Sequence, residues 1–166
     1  MPPIHILLVD DSPEFLESAK RFLAGDPHIE IVGCVLSARD ALEQVRQLHP
    51  DLVLMDLAMP EMNGLDATRQ IKAQPDAPRV VILTLYDNPE YRAAAEAVRA
   101  DGFVAKSDFG AQLLPLIHTL FAQPPAPDHE GGVESARSQN SAMIFVSAAP
   151  LLSATKSGMV GTAKLT

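Results

Sequence analysis

The sequence predicts an open α/β sheet: five parallel strands with helices on both faces. Three observations predict it. Short apolar runs alternate with amphipathic stretches five times between Ile4 and Phe121. The connections between them are short and rich in Pro, Gly, Asp and Asn. The run Leu52-Val53-Leu54-Met55 is continuously apolar, as in a strand buried on both faces, and leads straight into Asp56.

The first strand, Ile4 to Val9, is apolar except at His5 and ends in Asp10-Asp11. His5 reads as a strand-end or partly exposed histidine. Ser12-Pro13 supplies an N-cap hydroxyl and a proline at the first helical position. Phe15, Leu16, Ala19, Phe22 and Leu23 then form one apolar face, and Gly25 ends the helix. Residues 29–36 are a second strand. Its Cys34 is expected to be a buried structural thiol, and as the single cysteine it has no partner for an intramolecular disulfide. Ser37 caps a second helix with Ala38, Ala41, Leu42, Val45 and Leu48 on its inner face, stopped at His49-Pro50.

The third strand carries Asp56 at its carboxyl end, followed by a bend containing Pro60, Asn63 and Gly64. A short helix over 65–73 turns Leu65, Thr68 and Ile71 inward. The fourth strand, Val80 to Leu85, includes the hydroxyl of Thr84. Asp87-Asn88-Pro89 opens a helix predicted to reach Ala100. After the turn at Asp101-Gly102, the strand Phe103-Val104-Ala105 ends in Lys106. Ser107 and Asp108 are expected to cap the last helix, which Pro115 should kink or restart. The alternation is most consistent with a flavodoxin-like, doubly wound sheet in the order 2-1-3-4-5.

Two regions follow from composition. Residues 1–122 hold the α/β domain. Residues 123–166 begin with Gln123-Pro124-Pro125-Ala126-Pro127 and are rich in Pro, Ser, Ala and Gly. That second region is expected to be disordered, with 141–152 a candidate transient helix or docking segment. The chain has 166 residues and a formal net charge of −8. A nucleic-acid binder usually presents a basic face, so direct DNA binding is not expected. The start of the chain lacks the features of a secretory signal, and no apolar run spans a bilayer, so a cytoplasmic protein is expected.

The strand ends carry the chemistry. In the order 2-1-3-4-5, Asp10, Asp11, Asp56, Thr84 and Lys106 converge at the carboxyl edge, where open α/β sheets place ligands. Three close carboxylates repel one another, and a divalent cation relieves this. Mg²⁺ suits an all-oxygen set: Asp11 and Asp56 as direct ligands, Asp10 directly or through water, and the Ala58 backbone carbonyl. Lys106 adds positive charge and Thr84 a donor. A phosphoryl group attacked by Asp56 fits this surrounding, because phosphoryl transfer needs in-line positioning and charge neutralisation.

These residues closely resemble the receiver domain of two-component response regulators. The matching segments are Leu7-Leu8-Val9-Asp10-Asp11, Leu54 through Gly64, Val81-Ile82-Leu83-Thr84, and Gly102 through Lys106. The resemblance covers about residues 4–121 and implies that Asp56 is the phosphoacceptor, with Asp10 and Asp11 as the magnesium acids. It implies that Thr84 and Lys106 contact the phosphoryl group. The donor would be a phosphohistidine on a sensor histidine kinase or phosphotransfer protein, or a small acyl phosphate.

In the switch the resemblance implies, Thr84 moves toward the phosphoryl group and Phe103 turns inward behind it. The change is read out on the surface of the fourth helix, fifth strand and fifth helix, which could also support a homodimer. Such a protein is a self-phosphorylating acceptor with slow autodephosphorylation, not a turnover enzyme. This sequence departs from many receivers at Ser107, where proline is frequent, and at Leu85, where a small residue is frequent. The resemblance also implies that Ala58 and Tyr86 flank the path of hydrolytic water.

The chain is similar to receivers joined to LuxR-type helix-turn-helix domains, yet 128–166 contain no pair of amphipathic helices. Either the receiver acts alone or an output domain is missing from this chain. Two other classes fit less well. A haloacid-dehalogenase-like phosphatase needs an acid where Ala58 stands, and a flavodoxin-type cofactor site needs a phosphate-cradling loop where Asp10-Asp11-Ser12-Pro13 stands.

Overall fold

The computed structural model describes residues 2–122. The expectations for 123–166, including the 141–152 segment, lie outside the described residues. The elements are β1 (Ile4–Val9), α1 (Pro13–Leu23), β2 (Ile29–Val35), α2 (Ala38–Leu48), β3 (Leu52–Asp56) and α3 (Gly64–Lys72). They continue with β4 (Arg79–Thr84), α4 (Pro89–Ala97), β5 (Gly102–Ala105), a 3-10 turn (Lys106–Asp108) and α5 (Phe109–Phe121). The strands are parallel in the order β2-β1-β3-β4-β5.

Alternate strand residues enter opposite layers, as the two-residue period of a strand requires. Ile6, Leu8, Leu52, Leu54, Val81, Leu83 and Val104 pack with α1 and α5. Leu7, Val9, Val53, Met55, Val80, Ile82 and Phe103 pack with α2, α3 and α4. Burial on both faces explains why these strands read as continuous apolar runs. The register Asp56↔Leu83 and Thr84↔Ala105 brings the strand ends level.

The helix starts follow their sequence signals. Ser12, Ser37, Asn63 and Asn88 each accept a backbone N–H with the side-chain oxygen. At the end of α2, His49 takes a left-handed conformation (φ 47°) before Pro50.

Several expectations are corrected. Cys34 is exposed, not buried. β2 is an edge strand with a register shift opposite Ile6 and Leu7, so its apolar run is only partly covered. The partial cover that remains still raises the Cys34 thiol pKa by desolvation, with Lys20 opposing and Glu17 reinforcing the shift. Pro115 neither kinks nor restarts α5, which runs unbroken through it. Pro115 faces solvent, where the carbonyl it leaves unbonded can meet water, while Leu113, Leu116, Ile117 and Leu120 hold the opposite face on the sheet. Neither Ser107 nor Asp108 forms a side-chain cap, because the 3-10 turn supplies the entry to α5. The fourth helix ends at Ala97, and Leu65 is only partly buried beside the inward Ala67, Thr68 and Ile71.

Candidate functional site

Asp10 stands one residue beyond β1 and is 1% exposed. Its Oδ1 accepts the Ser12 N–H at 2.9 Å, and its Oδ2 accepts from Lys106 Nζ at 2.5 Å. Asp11, next in the chain, is exposed. Asp56 closes β3 and is buried, with Oδ1 3.2 Å from the same Lys106 Nζ. Ligand oxygens of Asp10, Asp11 and Asp56 all lie within 4.8 Å of one another. One ammonium therefore bridges two of three clustered carboxylates.

The electrostatics follow from that crowding. Burial, then the negative charge of Asp10, raises the Asp56 carboxyl from an ordinary 3.8 to about 6. Lys106 pulls the other way, and Asp11 adds a further upward push. A site that disfavours its own ionised carboxylate suits a cation. The donor set is all carboxylate oxygen, the hard chemistry that Mg²⁺ prefers. The residues present therefore fit the ion.

The neighbouring loops shape the pocket. The bend after β3 returns so tightly that the Gly64 N–H donates to the Leu57 carbonyl at 2.9 Å. A Cβ at residue 64 would lie 2.1 Å from the Asp56 carbonyl oxygen and 2.9 Å from Met55 Cγ. Glycine is required there for close approach, and Glu61 turns the bend with φ 66°. Ala58 is exposed on this segment.

Thr84 is buried at the end of β4, with its hydroxyl engaged with the following loop. It donates to the Tyr86 carbonyl at 3.1 Å and accepts the Tyr86 N–H at 3.1 Å. Leu85 and Tyr86 project outward, 70% and 67% exposed. Phe103 is fully buried between the sheet and α4, and the Arg92 guanidinium lies 4.9 Å from its ring centroid. Arg92 is held by two 2.6 Å bonds to Asp87, which lower the Asp87 pKa and raise that of Arg92.

The structure thus brings Asp10, Asp11, Asp56 and Lys106 together and places Thr84 and Phe103 on the adjoining strands. Sequence reasoning missed four features: the close approach at Gly64, the Asp87–Arg92 clamp, the packing of Phe15 on Lys106, and the Lys72–Asp101 pair. Asp101 reads as a turn residue, yet its Oδ2 accepts both Lys72 Nζ at 2.5 Å and the Val80 N–H at 2.8 Å. Only the Asn63-Gly64 step carried a signal, and that signal was for a bend.

The family described as response regulator receiver domain matches residues 6–117. The chain belongs to that family. It is 34% identical over 119 residues to the transcriptional regulatory protein MctR of Rhizobium johnstonii, covering 72% of this chain and 56% of the relative. It is 36% identical over 121 residues to the response regulator protein VraR of Staphylococcus saprophyticus, covering 72% and 57%. This receiver-family chain therefore spans little more than half the length of these relatives.

Solved structures agree on the fold. A LuxR-family two-component response regulator from Aurantimonas matches with a TM-score of 0.68 at 32% identity, covering 71% of this chain and 84% of that one. The response regulator domain of Thermotoga maritima CheB matches with a TM-score of 0.65 at 25% identity, covering 70% and 95%. The flavodoxin-like sheet, its strand order and the receiver family are as the sequence predicts. Among the described residues, no helix is long and apolar enough to cross a membrane.

Proposed function

We propose that this receiver accepts a phosphoryl group on Asp56 from a sensor histidine kinase or phosphotransfer protein in the cytoplasm. One observation carries the reading: Lys106 bonds both Asp10 and Asp56 inside a cluster of three carboxylates. Asp10, Asp11, Asp56 and the Ala58 carbonyl would hold Mg²⁺. When bound, that ion supplies charge neutralisation for the carboxylates and the incoming phosphoryl oxygens.

An Asp56 oxygen forms a bond to phosphorus as the donor's P–N or P–O bond breaks. The bonding pair leaves with the imidazole or carboxylate, and an imidazole nitrogen is then protonated. Lys106 offers N–H donors to the transferred oxygens. Thr84 exchanges its bond with Tyr86 for one to the phosphoryl group, and that exchange releases the loop that leads into α4. Phe103 already lies inward, so the switch rests on packing and on the Arg92 contact. The readout is the α4-β5-α5 surface, for a protein partner or a second copy of the chain. The domain acts as a phosphoacceptor with slow self-dephosphorylation, without catalytic turnover.

Residues 1–122 form the unit that carries this chemistry, and 123–166 are dispensable for it. Phosphoryl transfer from acetyl phosphate, followed as acid-labile label, tests the reading. Label that depends on Mg²⁺ and persists without 123–166 is expected. Label that survives removal of the metal by chelation contradicts it.

A second reading takes this chain as the receiver part of a LuxR-type DNA-binding regulator. Similarity to the LuxR-family response regulator from Aurantimonas, at 32% identity, favours it. Under either reading, this chain alone should show no salt-dependent affinity for DNA.

A further inference from the structure

The aromatic ring of Phe15 has a place in the site that its helical spacing does not announce. Lys106 Nζ lies 4.3 Å from the ring centroid, and the lysine is largely buried. An ammonium has three donor directions. Here its close neighbours are Asp10 Oδ2 at 2.5 Å, Asp56 Oδ1 at 3.2 Å and the face of Phe15. The ring is itself fixed. Its backbone N–H donates to the Ser12 hydroxyl at 3.2 Å, while the Ser12 N–H donates to Asp10 Oδ1 at 2.9 Å. Its edge meets Phe109 at 5.5 Å with the planes at 81°.

We propose that Phe15 is a positioning residue for Lys106, holding the ammonium at the site while its carboxylate partners change. Both carboxylates alter their charge or their bonding during the cycle: Asp56 becomes an acyl phosphate, and Asp10 is a proposed metal ligand. The electrostatic attraction of the ring face for a cation does not depend on either event. The inference rests on the phosphoacceptor reading of Asp56 and adds to it a residue outside the acid cluster.

The reaction for the test is labelling by acetyl phosphate: the Asp56 oxygen–phosphorus bond forms, and the bond from phosphorus to the acetate oxygen breaks, releasing acetate. The full chain is used, with Phe15→Leu, Phe15→Tyr and Phe22→Leu. Phe22 also packs on Phe109, with centroids 5.4 Å apart, so Phe22→Leu reports the loss of that packing alone.

Phe15→Leu should slow labelling at saturating acetyl phosphate about fivefold, with the half-saturating concentration little changed. Phe15→Tyr, which keeps a π face, should label as wild type, and so should Phe22→Leu. The ring should also shift the NMR signals of the Lys106 ε protons upfield in the unphosphorylated wild type and in Phe22→Leu.

Equal slowing in Phe15→Leu and Phe22→Leu, or wild-type labelling of Phe15→Leu, overturns the proposal. If Phe15→Leu does not fold, unshifted Lys106 ε protons in wild type overturn it, and shifted ones support it. A wild type that takes no label at Asp56 overturns the phosphoacceptor reading, and this proposal with it.

Discussion

Lys106 lies closer to Asp10 than to Asp56: its Nζ is 2.5 Å from Asp10 Oδ2 and 3.2 Å from Asp56 Oδ1. In the absence of a metal the lysine acts as the counter-ion of the acid cluster. A divalent cation on Asp10 must compete with that ammonium for the same carboxylate. Lys106→Met should therefore bind Mg²⁺ more tightly than wild type while taking up phosphoryl groups at least about tenfold more slowly, since a cationic donor to the transferred oxygens is gone. Calorimetric titration and a labelling time course check the two halves. Weaker Mg²⁺ binding in the variant would contradict the competition.

The raised Asp56 pKa has a pH signature. With a folded value of about 6 against an ordinary 3.8, the metal-free folded state retains a proton that the unfolded chain has lost. Stability falls as pH rises through that window, by about 3 kcal/mol in all, and the cost is fully present above pH ~6. Mg²⁺ should stabilise the protein more at pH ~7.5 than at pH ~5, because the ionised carboxylate is its proposed ligand. Thermal melts of wild type and Asp56→Asn check this, and Asp56→Asn should lose most of the pH dependence in that window.

Gly64→Ala places a Cβ where the Asp56 carbonyl stands. Backbone on both sides must shift, so a loss of about 3 kcal/mol is expected, at the upper end of overpacking costs. Because the displaced atoms belong to Asp56, labelling should fall even at a temperature where the variant remains folded. Circular dichroism melts paired with labelling of the folded fraction separate the two effects.

The Lys72–Asp101 pair ties α3 to the start of β4 and the turn into β5. Asp101→Ala leaves the buried Val80 N–H without its acceptor and Lys72 without its carboxylate, keeping only its bond to the Pro78 carbonyl. A loss of about 3 kcal/mol is expected. The pair touches none of the site residues, so phosphoryl uptake by the folded variant should match wild type. Denaturant unfolding and labelling test the two statements.

The sheet order and the acid cluster were legible because the strands announce themselves twice. Each is an apolar run, and on four of the five the candidate site residues sit at or just past the carboxyl end: Asp10 and Asp11, Asp56, Thr84, Lys106. What was not legible depends on which elements meet. Phe15 reads as one more member of an apolar helix face, and only the return of the chain after β5 puts Lys106 on its ring. Asp101 reads as turn chemistry, and its role appears only when Lys72 arrives from α3. Cys34 reads as buried because an apolar run does not reveal that its strand is at an edge. Pro115 reads as a break because sequence alone does not show that its side of the helix faces water.

The central claim, that Asp56 carries the phosphoryl group, is tested most directly by intact-protein mass spectrometry. Wild type and Asp56→Asn are incubated with acetyl phosphate and Mg²⁺. One acid-labile phosphoryl group on wild type and none on Asp56→Asn is the predicted result. Equal labelling of the two proteins would contradict the account.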